Sequence, residues 1–186
     1  MKAYILAAVV AVSACGSDSV ASVEDARNAY LGLDLAIDKA ITLGFAGFNS
    51  ASSANISPQT TNGTTSGTLT VTGQVDQGAS ANKGMRLFTA FANYSDNGEI
   101  SYNTSSVALP ALNMMLLNIP AGTLTGTLVG NVTMTGEEEG ALVLNLSFAG
   151  EIQLGTGGLV ERKPGTTRIT GTATSAAGTF TVDVTR

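Results

Sequence analysis

From Thr68 to the C-terminus the chain alternates apolar and small polar residues with a period of two, and that pattern restricts it to half-buried β-strands. Leu69, Val71, Gly73 and Val75 share one phase, while Thr68, Thr70, Thr72 and Gln74 occupy the other. The same alternation runs through Leu124, Gly126, Leu128, Gly130, Val132 and Met134, and through Leu142, Leu144, Leu146, Phe148, Gly150, Ile152 and Leu154. It returns at Ile169, Gly171 and Ala173, and at Phe180, Val182 and Val184. One apolar face and one Thr-rich face is the pattern of an antiparallel sheet with a core on one side and water on the other. Threonine suits the wet face because its β-branch fits the pleat while its hydroxyl meets solvent.

The turns support this register. Gly136-Glu137-Glu138-Glu139-Gly140 and Ser175-Ala176-Ala177-Gly178 each join two strands as a hairpin, and Asp96-Asn97-Gly98 forms a third turn in which Asn and Gly tolerate positive φ. Met85 to Tyr94 reads as a strand with a less regular alternation. Leu109 to Ile119, bounded by Pro110 and Pro120, is apolar on both faces; it fits a doubly buried strand or a short helix, and the strand is preferred. Gly73, Gly126, Gly130, Gly150 and Gly171 all fall in phase with the apolar side chains. Glycine inside a strand implies a kink or a close backbone approach, so these five predict a strongly coiled sheet or a helix lying close against it. A strand over 123–135 would be about 43 Å long.

Before the sheet, the spacing changes to three and four. Val23, Ala26, Tyr30, Leu33, Ile37 and Ile41 form one apolar stripe, which predicts an N-terminal helical segment over 22–44, its helix running over 22–43 for about 33 Å. Ser22 is its N-cap, Glu24 and Asp25 favour the positive end, and Gly44 is the expected C-cap. Leu31 and Leu35 lie off the stripe, as exposed leucines or as marks of a helix covered on two sides. Residues 45–66, rich in Ser, Ala, Asn, Thr and Gly, read as a linker. The expected fold is therefore mainly β with one N-terminal helix: an antiparallel meander of about seven or eight long strands over 67–186, forming a strongly coiled sheet, sandwich or barrel with the helix packed against it. Helix and sheet together make one globular unit.

The first residues carry a different signal. Met1-Lys2 is a positive start, Ala3 to Val12 is an apolar run too short to span a bilayer as a helix, and small residues follow at Ser13 and Ala14. The segment Val12-Ser13-Ala14-Cys15-Gly16 resembles the lipobox of bacterial lipoproteins. That resemblance implies a signal peptide over 1–14, cleavage between Ala14 and Cys15, palmitate-type acylation of Cys15, and a lipidated tether over 15–21. The other reading is an ordinary signal peptide with an incidental cysteine, but the chain has a single Cys and it stands where the lipid would go. By resemblance to enteric lipoprotein sorting, Gly16 in place of Asp favours the outer membrane of the cell envelope, with the periplasmic or surface face left open. The resemblance covers about fifteen residues and leaves the domain behind it undescribed.

Composition narrows the chemistry. The chain contains no His, so neither a Ser-His nor a Cys-His nucleophilic system can be assembled. Its formal net charge is −5 and Arg162-Lys163 is the only adjacent basic pair, which argues against nucleic acid as a partner. Asp34 and Asp38, one helical turn apart, are the carboxylates placed for joint chemistry, but a solvated helix face explains them more simply. Glu137 to Glu139 and Asp96-Asn97-Gly98-Glu99 offer oxygens without a complete cation-loop pattern; a charged hairpin tip and a turn account for them. Gly155-Thr156-Gly157-Gly158 lacks the Lys and helix start of a phosphate loop and reads as a turn. No catalytic, metal or cofactor-binding set is expected. Leu112, Met114, Met115 and Leu116 are core candidates that could instead offer an adaptable apolar ligand surface.

Three functional classes follow. The first is a non-catalytic envelope lipoprotein acting as a structural or interaction module, anchored to the membrane through Cys15, with an envelope protein or polysaccharide as partner. The second is a carrier of a lipid or other apolar ligand in a cavity between sheet and helix. The third is a carboxylate-only hydrolase, which needs a buried acidic pair that the alternating strands do not place on their apolar face. A membrane-spanning β-barrel is disfavoured, because such barrels carry aromatic girdles and aromatic residues are 5% of this chain.

Overall fold

The computed structural model describes residues 19–186. The signal peptide and Cys15 expected from the sequence lie outside the described residues. Two helices, α1 (Val23–Leu31) and α2 (Asp34–Ser50), precede ten strands: β1 (Asn55–Asn62), β2 (Ser66–Val75), β3 (Lys83–Ser95), β4 (Ile100–Asn103), β5 (Ala111–Leu117), β6 (Gly122–Gly136), β7 (Gly140–Leu154), β8 (Val160–Arg162), β9 (Arg168–Ser175) and β10 (Gly178–Thr185).

All ten strands belong to one coiled antiparallel sheet, as the alternation predicts. β4 and β5 occupy the same row, pairing successive parts of β3 and β6 around the 104–110 excursion. β8 and β9 share a second row against β7. The ladders thus form a meander whose two edge strands, β1 and β10, do not pair with each other. Helix contacts fall on both edges: α1 lies against β10, and α2 against β1, β2, β3 and β8. Tyr30, Leu33, Ile37 and Ile41 pack with Leu69, Leu87, Leu112, Leu124 and Leu144, all within 2% of complete burial, so side chains fill the space between helix and sheet.

The five in-phase glycines are half-buried and serve the sheet rather than the helix. A Cβ at Gly171 would strike the Asn145 carbonyl of the neighbouring strand. At Gly126 it would strike the ring of Phe148, its direct partner across the ladder. Strands coil tightly here because side-chain volume is missing on their inner face.

The helical region departs from expectation in three ways. Ser22 caps α1 by accepting from the Asp25 amide at 3.1 Å, as predicted, but the helix breaks at Gly32-Leu33. The Tyr102 hydroxyl, donating to the Ala29 carbonyl at 2.6 Å, fills the space a Cβ at residue 32 would need. Second, Gly44 is not a C-cap, and α2 runs to Ser50. Gly44 and Gly47 face the sheet, where a Cβ would stand 3.0 Å from Met85 Sδ and 2.8 Å from Ile56 Cβ. Close packing outweighs the cost of about 1 kcal/mol per helical glycine. Third, residues 45–66 are no linker, because they hold the end of α2 and the edge strand β1. Pro58 sits there where the β1–β2 register shifts, a position that tolerates a missing amide donor.

The expected tether over 15–21 is also shorter. Val20 is fully buried, and its carbonyl accepts from Ser175 Oγ at 2.5 Å. That contact fixes the chain at the end of the sheet where the β9–β10 and β6–β7 hairpins turn. The C-terminus of α2, the Leu117–Gly122 turn and the Leu154–Val160 turn gather at the opposite end.

Candidate functional site

The helix break sets Asp34 at the start of α2 and turns it into the protein interior. Asp34 is 2% exposed and is bound by Arg162 of β8, whose Nη1 and Nη2 donate to the two carboxylate oxygens at 2.9 and 3.0 Å. Arg162 also donates to Asp38 through Nε at 2.8 Å and Nη2 at 2.7 Å. Tyr30 Oη donates to Asp34 at 2.6 Å and Arg186 Nε at 3.2 Å. The solvated-face reading of Asp34 and Asp38 is therefore corrected. They do not work as free carboxylates, because two guanidinium groups balance them. Burial pushes the Asp34 carboxyl up, but the hydrogen bonds and charge of Arg162, with Tyr30 and Arg186, outweigh it and hold the group below its ordinary range. Burial and the Asp34 charge push the Tyr30 hydroxyl well above its ordinary range. A cleft of about 450 Å³ opens over this cluster, bounded by Lys163, Pro164 and Arg186, with Lys163 itself paired to Glu151 at 2.6 Å.

A second polar knot ties α2 to the turn 62–66 and to the β3–β4 turn. Lys39 Nζ donates to Asp96 at 2.5 Å and to the Asn62 carbonyl at 3.1 Å. Asp96 also accepts from the Thr64 amide at 2.8 Å and from the Tyr94 hydroxyl. The Asp96 run expected as a simple turn is thus a turn whose first acid is 5% exposed and fully engaged. Burial opposes its charge, and Lys39, Tyr94 and Thr64 hold its carboxyl below the ordinary range. The knot does for the middle of α2 what Arg162 does for its start.

Along the flank of α2 the surface is concave and apolar. Thr42, Phe45 and Asn49 form one wall, and Ile119, Pro120, Leu154, Leu159 and Val160 form the other, around about 330 Å³. A smaller recess of about 200 Å³ shares Thr42 and Leu159 and continues to Asp38, Lys39 and Glu161. Leu154 and Leu159 are 56% and 51% exposed. Gly155–Gly158 between them is a turn, as expected, with a single 3₁₀ turn over Thr156–Gly158.

The anticipated apolar surface does not form as one face. β5 alternates, so Leu112, Met114 and Leu116 are buried in the core while Met115 lies on the outer face, 44% exposed. The Glu137 to Glu139 segment is a charged hairpin tip between β6 and β7, with Glu137 and Glu139 exposed and Glu138 turned inward at 8% exposure. No group of three or more His, Cys, Asp or Glu side chains is arranged to hold a metal among the described residues. Sequence reasoning missed Arg162 and Arg186. The available signal was Asp34 itself, which stands one turn after Tyr30 and next to Leu33 of the apolar stripe, where a buried carboxylate calls for a charged or hydrogen-bonding partner.

No helix among the described residues is long and apolar enough to cross a membrane. No family model, no curated protein and no solved structure matches the chain.

Proposed function

We propose that the chain is a lipid-anchored protein of the bacterial envelope whose β domain is a non-catalytic interaction module held at the membrane surface. The observation that carries this reading is the docking of Val20 against Ser175. Four residues lie between Cys15 and Val20, five Cα steps in all, so the leash is at most about 17 Å. A lipid on Cys15 would hold the β9–β10 end of the domain against the bilayer. With β7 about 50 Å long, the α2 C-terminus and the Leu154–Val160 turn would then point away from it. The engagement of Asp34, Asp38 and Asp96 in ion pairs supports a non-catalytic role, since these carboxylates hold the fold together.

The orientation is tested with a fluorophore on Ala176→Cys or on Thr156→Cys, with an acceptor in the lipid head groups of the native membrane. Strong energy transfer from position 176 and weak transfer from 156 is expected. Equal transfer from both, or recovery of the chain in the soluble fraction, would overturn the reading.

A further inference from the structure

We propose that the open edge of β10 binds an extended segment of a partner polypeptide, added to the sheet as a further antiparallel strand and anchored by an apolar side chain in the cleft beside Arg186. The inference deepens the interaction-module reading and rests on it for the choice of partner.

Hydrogen bonding in the last hairpin fixes which peptide groups are unused. Arg186 and Thr167 exchange both backbone bonds, at 2.8 and 2.9 Å. The β9–β10 register then runs unbroken from Thr185 back to Gly178. Alternation along the ladder therefore turns the N–H and C=O groups of Thr179, Thr181, Asp183 and Thr185 away from β9. These residues are exposed, and no hydrogen bond among the described residues reaches their outward peptide groups. The groups repeat about every 6.8 Å, a spacing that another extended backbone matches.

The opposite edge is guarded. β1 carries Pro58 at its register shift, its Asn62 carbonyl accepts from Lys39 at 3.1 Å, and α2 packs along it. Proline, cover and charge are the devices that blunt an edge strand. β10 contains no proline, and its Thr, Phe and Val favour extended structure. Its charge, Asp183, is neutralised by Arg168 at 2.8 Å. α1 packs against β10 where Val182 and Val184 are buried, and the outward residues stay exposed.

Two features choose the occupant. The β10 strand of a second copy, paired antiparallel, would place the two Val20 segments at opposite ends of the assembly, against a common membrane anchor. The edge also runs into the cleft of about 450 Å³, where Thr185 and Arg186 stand beside Pro164 and Leu35, the leucine 46% exposed. In strand addition, backbone pairing supplies affinity and a side-chain pocket supplies specificity. The partner segment thus carries a large apolar residue just before the stretch that pairs with β10.

The test uses the full chain in detergent micelles. The probe is a fluorescent peptide of leucine followed by alternating threonine and valine, and its twin is N-methylated on the amides that face β10. Anisotropy should report binding of the probe and not of the twin, and amide exchange followed by NMR should slow at Thr179, Thr181 and Asp183. Thr181→Pro removes an amide that the fold leaves unused, a change an edge strand tolerates, and Leu35→Asp alters an exposed side chain. Each should weaken binding about tenfold, the factor that 1.4 kcal/mol makes. No binding of the probe, equal binding of the twin, slowing at Thr60 of β1 instead, or unaffected variants would each overturn the proposal. So would protection of the β10 amides that rises with the concentration of the chain alone, which marks a second copy on the edge. Membrane fractionation of Cys15→Ser keeps the two readings apart: unchanged association would sink the anchor, while the peptide result decides the edge.

Discussion

Arg162 and Asp34 meet across 128 residues of sequence, at 2.9 and 3.0 Å, with both side chains removed from water. The pair joins the first turn of α2 to a three-residue strand, and Arg162 Nη2 also donates to the Asp34 carbonyl at 2.9 Å. A buried guanidinium with this geometry fixes where the helix starts relative to the sheet. Removing one partner leaves a buried charge, which costs about 3–5 kcal/mol. Arg162→Leu should therefore lower stability by about that amount in urea denaturation. Arg162→Leu combined with Asp34→Leu should recover part of the loss. A single variant within 1 kcal/mol of wild type, on the order of a surface pair, would show that the cluster is not buried in solution.

The same carboxylate sets the acid limb of stability. Its folded pKa lies below the ordinary value of 3.8, so the stabilisation is complete above the unfolded value and is lost as pH falls through the folded one. Asp96 is depressed likewise and acts with the same sign. Denaturation midpoints should fall steadily from pH 5 to pH 2, and Asp96→Asn should flatten that slope. A midpoint that rises on acidification would contradict the assignment.

Gly32 and Tyr102 should be energetically coupled. Gly32→Ala places a methyl against the Tyr102 hydroxyl and should cost about 1–3 kcal/mol as overpacking. In a Tyr102→Phe background the same substitution should cost much less, because the colliding oxygen is gone. A double-mutant cycle with coupling near zero would place the helix break elsewhere.

Gly47→Ala sets helix propensity against packing. Alanine favours the helix by about 1 kcal/mol, yet its Cβ would stand 2.8 Å from Ile56 Cβ. Overpacking of about 1–3 kcal/mol wins, so thermal unfolding should shift downward. An upward shift would mean that α2 rides higher on the sheet.

The contrast between Leu124 and Ile56 explains what the sequence revealed. Leu124 belongs to a long, half-buried strand whose alternation is imposed by water on one face, and such strands are legible residue by residue. Ile56 is the only buried residue of β1, an edge strand interrupted by Pro58, so no period could announce it. α2 is less legible for the opposite reason. Gly44 reads as a helix end in the sequence, while tertiary contact with Met85 and Ile56 retains Gly44 and Gly47 inside the helix. The ionic cluster was half visible, as Asp34 beside an apolar stripe, but its partners Arg162 and Arg186 lie more than a hundred residues away and only the fold brings them in. The apolar cleft was invisible, since Phe45, Pro120 and Leu159 come from three separate turns and helices.

The central claim, a domain held close to a membrane by a lipid on Cys15, is tested most directly by intact-mass spectrometry of the mature full chain from a bacterial host. The account predicts a chain beginning at Cys15, heavier by a diacylglyceryl group and one further acyl chain, with the mass addition abolished by Cys15→Ser. A mature chain that begins elsewhere, or that carries an unmodified Cys15, would contradict it.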